Sequence, residues 1–180
     1  MKRFLAMLLC LVTACLFVGC IPIPSKKDVE TEVEDITAIE IYYFEKEAYW
    51  DSETNSWMYS FWDQSLEKYV VTPVEDGLVA HIEAEKYAAF VEDIEDLPFR
   101  KWIPLLPIPT TPAFYFYGYV IKIYSGTNYE LITDGCGEDV GDILAHTCKE
   151  EDWNAFIKKY IGEELFMQIE QATQSSGDLV

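Results

Sequence analysis

The sequence has few positive charges. Thirteen Lys and Arg residues stand against 32 Asp and Glu residues, and the formal net charge at pH 7 is −19. Such a chain repels the phosphate backbone of nucleic acids and the anionic headgroups of lipid membranes. The composition therefore excludes nucleic-acid binding, and it disfavours contact between the protein itself and an anionic membrane surface.

The sequence also lacks the short motifs that commonly carry chemistry. It has only two histidines, His81 and His146, and no HExxH, GxSxG, SxxK or GxxxxGK[ST] pattern. The usual zinc, serine-nucleophile and phosphate-loop sites are therefore not indicated. No catalytic or metal-ligating residue follows from the motifs, which favours binding over catalysis.

The segment with the most specific pattern is the N-terminus. Lys2 and Arg3 precede an apolar run over 4–18, and the small residue Gly19 then precedes Cys20. This order is typical of a secretory signal peptide. With cysteine at the cleavage point, it resembles the lipobox of bacterial prolipoproteins. The resemblance implies that Cys20 receives a diacylglycerol, that signal peptidase II cuts before it, and that the mature chain is anchored outside the cytoplasmic membrane.

Two alternatives to this assignment remain open. Val12-Thr13-Ala14-Cys15 also fits the lipobox pattern, and an uncleaved segment over 4–24 is nearly long enough to span a bilayer. Cleavage before Cys20 is favoured because it leaves Ile21-Pro22-Ile23-Pro24 next to the lipid. The prolines in that stretch prevent a helix and favour an extended tether.

Removal of the signal peptide over 1–19 leaves 161 residues, with 11 basic and 32 acidic side chains and a net charge of −21. This length suits one domain with its own hydrophobic core. We predict a lipidated cysteine and tether over 20–34, a single domain over 35–173, and a frayed tail over 174–180.

The hydrophobic pattern of the domain predicts strands, a helix, more strands and a final helix. Alternating apolar residues indicate strands near 36–45 and 114–124, and aromatic residues around a polar turn indicate a hairpin across 49–61. Apolar residues three and four apart indicate helices near 83–96 and 151–172. We therefore expect an α+β fold, an antiparallel sheet of about five to seven strands with two main helices packed on one face.

Two segments, IKIYSGTNYELI over 121–132 and CKEEDWNAFIKKYIG over 148–162, look like parts of small uncharacterised lipoproteins of Gram-positive anaerobes. The resemblance covers one strand pair and one helix. It implies no activity and no site residues.

Two cysteines remain in the mature chain besides Cys20. An exported location allows Cys136 and Cys148 to form a disulfide. The alternative is a pair of buried thiols, because a turn centred on 137–141 would place Cys136 near the tip, out of reach of Cys148.

The glycine-rich stretch over 134–142, which includes Cys136, carries four carboxylates, those of Asp134, Glu138, Asp139 and Asp142. Carboxylates on a tight loop are ligands that Ca²⁺ accepts, although the order of ligands does not match an EF-hand. Gly and Asp are also what an ordinary turn requires. We therefore expect a plain hairpin loop and no cofactor, with calcium as the alternative.

Nine aromatic residues crowd the stretch over 42–62. Trp50 and Trp57 flank the predicted turn, so they could form a flat surface on which a sugar ring stacks. Cross-strand aromatic pairs also stabilise hairpins without any ligand, and this structural interpretation is favoured.

The stretch over 98–112 contains five of the eight prolines, a density that excludes a helix or a central strand. An apolar loop of this kind either packs on its own sheet, which we favour, or meets a partner. As a recognition loop it would offer Arg100, Trp102, Leu105 and Leu106 to a protein.

These patterns predict a lipid-anchored protein on the extracytoplasmic face of the cell membrane, with a binding or interaction role. A protein or glycan partner fits this role, and its identity stays open. One alternative is a surface hydrolase that acts on cell-wall glycan or peptide through paired carboxylates. Another is an inhibitor-type module that uses the 98–112 loop.

The lipid assignment is tested by Cys20→Ala. The variant should lose its processed mass and its partition into the membrane fraction, because the acylated thiol is gone, whereas Cys15→Ala should behave as wild type. Mass spectrometry and detergent phase partition measure both properties. A Cys20→Ala protein that is still processed and still partitions with membranes would refute the assignment.

Overall fold

The computed structural model describes residues 20–24, 28–104, 116–134 and 146–177, with the backbone alone at 20–23, 101–104, 146 and 175–177. The strands in the described part of the chain are β1 (Cys20–Pro24), β2 (Ala38–Asp51), β3 (Ser56–Asp63), β4 (Lys68–Pro73), β5 (Leu78–His81), β6 (Arg100–Pro104), β7 (Phe116–Ser125), β8 (Asn128–Ile132) and β9 (His146–Thr147). The helices are α1 (Tyr87–Glu95), α2 (Glu150–Ile161) and α3 (Glu163–Gly177), with short 3-10 turns at Val33–Asp35 and Ala84–Lys86.

Six of these strands form one antiparallel sheet. Its order is β4-β3-β2-β7-β8, and β5 also pairs with β2. The first half of β2 lies between β7 and β5, and its second half pairs with β3. The sheet and the helices confirm the predicted α+β class.

The helices cover one face of this sheet. Ile39 and Ile41 of β2, with Ile121 and Ile123 of β7, point to that face and are at most 1% exposed. The helices contribute Phe90, Val91, Ile94, Trp153, Phe156, Ile157 and Phe166 to the same cluster. Gly162 separates α2 from α3 with a φ of +87°, a backbone conformation that glycine adopts without strain.

A smaller apolar cluster lies on the opposite face of the sheet. Its buried members are Phe44, Ala48, Trp57, Phe116 and Val120. The pairing of β2 with β7 shifts register between Phe44 and Ala48, and such a bulge bends the strand. Trp50 near the end of β2 consequently meets Tyr129 of β8, with ring centroids 5.8 Å apart, although β7 lies between those strands in the sheet. The hairpin of β2 and β3 thus partly encloses this face.

The remaining strands form a small second sheet in the order β1-β6-β9. Cys20 lies opposite Pro104, so residues that we expected in an extended tether are paired with the domain. The expectation that 98–112 excludes a central strand is wrong for β6. Pro98 precedes that strand and Pro104 ends it, so the residues between them keep their backbone donors. Two further prolines lie in β1, an edge strand, where the missing donor is tolerated.

Among the helices in the described ranges, none is both long enough and apolar enough to cross a membrane.

The close approach of Gly77 to Phe44 provides a test of the smaller cluster. A methyl group added at Gly77 would lie 2.7 Å from Cε1 of Phe44, a ring that is fully buried. Gly77→Ala should therefore lower the free energy of unfolding by about 1–3 kcal/mol, measured by urea denaturation. In a Phe44→Leu background, Gly77→Ala should lower the free energy of unfolding by less, because the smaller leucine side chain leaves room for the added methyl group. Equal costs in both backgrounds would contradict this packing.

Candidate functional site

The most unusual residue in the described structure is Lys122, in the middle of β7. Its side chain is fully buried, and its Nζ has no hydrogen-bond partner among the described residues. Instead, Nζ lies over three aromatic rings, 2.7 Å from the centroid of Trp50, 4.5 Å from that of Tyr129 and 4.6 Å from that of Tyr124. The faces of aromatic rings attract cations, so these rings replace part of the hydration that burial removes.

The position of Lys122 follows from the alternation of side chains along β7. Its neighbours Ile121 and Ile123 point to the helices, so Lys122 points to the opposite face. The bend in β2 brings Trp50 over that face, and Tyr129 reaches it from the neighbouring strand β8. We call Lys122 and these rings, Trp50, Tyr124 and Tyr129, the lysine cage.

Glu40 lies directly across from Lys122 in the pairing of β2 with β7. Its Oε2 accepts hydrogen bonds from the hydroxyls of Tyr42 at 2.5 Å and of Tyr124 at 2.7 Å. Its Oε1 lies 3.4 Å from Nδ1 of His81 on β5. One carboxylate thus connects three strands of the main sheet.

Burial changes the protonation of this cluster. Removal from water lowers the pKa of Lys122 to about 7, and the nearby Glu40 carboxylate offsets only part of that effect. Removal from water and the hydrogen bond to Glu40 raise the pKa of Tyr124 to about 12. The same two causes raise the pKa of Tyr42. At neutral pH, the cluster therefore contains two neutral phenols and an amine close to its own pKa.

An open groove of about 290 Å³ lies beside the lysine cage and shares Trp50 and Tyr124 with it. Its walls are formed by Glu40, Tyr42, Trp50, Asn55, Ser56, Trp57, Val74, Glu75, Gly77, Leu78 and Tyr124. We call this the aromatic groove. Its lining combines two carboxylates with four aromatic side chains, a pattern suited to a small ligand that is partly polar and partly apolar.

The two tryptophans predicted as interaction residues both line the aromatic groove. Trp50 and Trp57 are cross-strand partners, as the hairpin prediction requires. Their rings meet edge to face at 76°, with centroids 5.3 Å apart, and Trp57 is buried. They form two walls of the groove rather than the flat stacking surface that we considered.

The other predicted site residues lie elsewhere. Arg100 is exposed at the start of β6, and for Trp102 and Cys20 the backbone alone is described, in β6 and β1. Leu105 and Leu106 lie outside the described residues. The structure therefore leaves the proposed recognition loop and the lipid site as predictions.

The disulfide and the calcium loop also stay predictions. Cys148 is half-buried, burial raises the pKa of its thiol to about 11, and its backbone N–H donates to the carbonyl of Asp134 at 2.8 Å. Cys136, Glu138, Asp139 and Asp142 lie outside the described residues. Within the described ranges, no group of three or more His, Cys, Asp or Glu side chains is placed to hold a metal ion.

The sequence interpretation missed Lys122, Glu40 and Tyr129 as members of a site. The available signal was a single lysine within the apolar run Tyr119-Val120-Ile121-Lys122-Ile123 of a predicted strand. Charged residues are almost never fully buried without a partner, so a lysine at such a position deserves a structural explanation. The aromatic residues that surround it come from three strands, and only the fold brings them together.

Replacing the buried amine should stabilise the protein. Below about pH 7, Lys122 is protonated in both the folded and the unfolded chain, so the cost of burying its charge is constant. Between about pH 7 and its ordinary pKa of 10.5, the unfolded chain holds a proton that the folded chain lacks, so stability rises with pH. Lys122→Met should add up to about 4 kcal/mol to the free energy of unfolding at pH 7.

Urea denaturation between about pH 7 and pH 9, a range below the pKa of unfolded tyrosine, measures both effects. The contribution of Lys122 to the rise in stability should disappear in Lys122→Met. The control variant Lys86→Met, at an exposed position, should keep the slope of the wild type. If Lys122→Met is less stable than wild type, or if its free energy of unfolding keeps the same dependence on pH, the amine of Lys122 is not buried at a cost to stability.

No protein-family model matches the chain, and neither the curated proteins nor the solved structures include a significant match to it.

Proposed function

We propose that this protein is a lipid-anchored extracytoplasmic binding protein and that the aromatic groove takes a small ligand. The observation that carries the proposal is the concentration of unsatisfied polar atoms at this site. The described residues contain three buried side-chain N or O atoms without a hydrogen-bond partner, and two of them, Nε1 of Trp57 and Nζ of Lys122, belong to the groove wall and to the adjoining cage. Buried polar atoms are rarely left unpaired, and the exceptions call for an explanation.

The shape and the lining of the groove support the same proposal. Small-molecule sites are concave, mostly apolar, and carry a few polar groups that orient the ligand. Here Tyr42, Trp50 and Trp57 supply apolar walls, while Glu40 and Glu75 supply acceptors. The anchor and the location rest on the N-terminal sequence pattern alone, which is independent of the groove.

Binding is favoured over hydrolysis because of how Glu40 is used. A glycosidase pair needs one carboxyl group that gives a proton to the leaving group. Oε2 of Glu40 already accepts hydrogen bonds from two phenol hydroxyls, at 2.5 and 2.7 Å, so this oxygen is held by β2 and β7 rather than free to meet a leaving group. The groove therefore offers Glu40 as an acceptor that its neighbours fix in place.

The proposal is tested by filling the groove from its exposed side. Leu78 lines the groove and is 45% exposed, so Leu78→Trp adds a ring there without removing any core contact. Val71→Trp is the matched control, because Val71 is 52% exposed on β4 and does not line the groove. Thermal shift and NMR titration against neutral sugars, amino acids, organic cations and organic anions measure binding to each protein.

We expect at least one of these ligand classes to bind the wild type. Leu78→Trp should weaken that binding by about tenfold or more, while Val71→Trp should leave it unchanged. If no class binds, or if the filled groove binds as well as the open one, the proposed function is wrong.

A further inference from the structure

We infer that the aromatic groove binds a compact organic ammonium group, either quaternary or a protonated amine. This inference rests on the proposed function, because it names the ligand class of the same groove. Three features support it: the charge of the lining, the angles between the aromatic rings, and the way the cluster already encloses an amino group of its own.

The charge of the lining favours a cation. Among the described residues that form the groove wall, Glu40 and Glu75 are acidic and none is Lys or Arg. Glu40 is held in place by the hydroxyls of Tyr42 and Tyr124, so its carboxylate does not have to reorganise when a ligand arrives. The chain as a whole has a formal net charge of −19, which draws cations toward the surface and repels anions.

The ring geometry favours a compact charge over a flat sugar. A sugar ring stacks on one exposed aromatic face, whereas ammonium groups are bound between several rings that face them from different directions. Trp50 meets Trp57 at 76°, and Tyr42 meets Trp57 at 56°, with centroids 5.3 and 5.4 Å apart. These rings therefore form angled walls, which suit a rounded group such as trimethylammonium.

The lysine cage shows which groups this part of the fold places around an amino group. The amino group of Lys122 is fully buried against Trp50, Tyr124 and Tyr129, and no hydrogen bond to the described residues compensates for its lost water. The groups at this site that attract a cation are the aromatic ring faces and the nearby Glu40 carboxylate. The groove offers the same elements, because it shares Trp50 and Tyr124 with the cage, is lined by Glu40, and is open to solvent.

The charge of Lys122 opposes a second cation only in part. Burial lowers the pKa of its amine to about 7, so a substantial fraction of the molecules carries a neutral Lys122 at neutral pH. A ligand cation in the groove would favour that neutral form further, since like charges at short range in a protein repel strongly. The two sites can therefore be occupied together without two full charges beside Trp50.

The experiment compares choline with its neutral isostere, in which a tert-butyl group replaces the trimethylammonium group. The two molecules have almost the same shape and differ in charge. NMR titration of the tryptophan indole N–H signals at pH 7.5 measures binding to the wild-type protein. We expect choline to shift the signals of Trp50 and Trp57, and the isostere to bind about tenfold more weakly or worse.

Two conservative variants test the role of charge in the lining. Glu75 is exposed, so Glu75→Gln should fold normally, and it should weaken choline binding by about two- to fivefold without affecting the isostere. Glu92→Gln is the matched control, because Glu92 is also exposed but lies on α1, away from the groove wall. It should leave choline binding unchanged.

The outcomes separate this inference from the proposed function. If the isostere binds as well as choline, or if a neutral sugar binds in the groove and choline does not, the groove is a ligand site but the ammonium inference is wrong. If no small molecule of any class shifts the indole signals of Trp50 and Trp57, the proposed function fails as well. Choline binding that Leu78→Trp does not weaken would place the cation outside the groove and would also overturn the inference.

Discussion

The burial of one ammonium group, that of Lys122, is the constraint on which the open face of the main sheet depends. A buried charge without a partner is costly, and here aromatic rings and one carboxylate take the place of water. Trp50 reaches Lys122 only because β2 bulges between Phe44 and Ala48 and bends over the sheet. The bend in β2 therefore positions Trp50 for both the lysine cage and the aromatic groove, beside the smaller apolar cluster.

The two faces of the sheet differ in composition and in their contribution to stability. The helix-covered face holds the larger cluster, where isoleucines from β2 and β7 pack against aromatic residues of the helices, and this face supplies most of the hydrophobic stability. The other face holds the smaller cluster, the groove, and two of the three buried polar atoms that lack a hydrogen-bond partner in the described residues. Burying the amine of Lys122 on the open face lowers the free energy of unfolding. The apolar burial on the helix-covered face compensates for this loss.

Much of the fold could be predicted from the sequence because local patterns determine it. The alternation in β2 and β7, the polar turn before Trp57 and the helical spacing around Trp153 each indicate their element without reference to distant residues. The pairing of β1 with β6 could not be predicted, since it joins segments about eighty residues apart and depends on where the prolines fall in the strands. The site was predicted in part: the tryptophans were found as an aromatic cluster, whereas the cage needs Lys122, Tyr124 and Tyr129 on neighbouring strands.

The arrangement of the open face of the main sheet depends on the environment of Lys122, which NMR measures directly. The ¹³Cε shift of Lys122, assigned by comparison with Lys122→Met, should titrate with a midpoint near pH 7 in the free protein. Addition of choline should move that midpoint lower, because a cation in the groove favours the neutral amine. A midpoint close to the ordinary lysine value of about 10.4, unchanged by choline, would show that the amine is solvated and would contradict both the cage and the groove built on it.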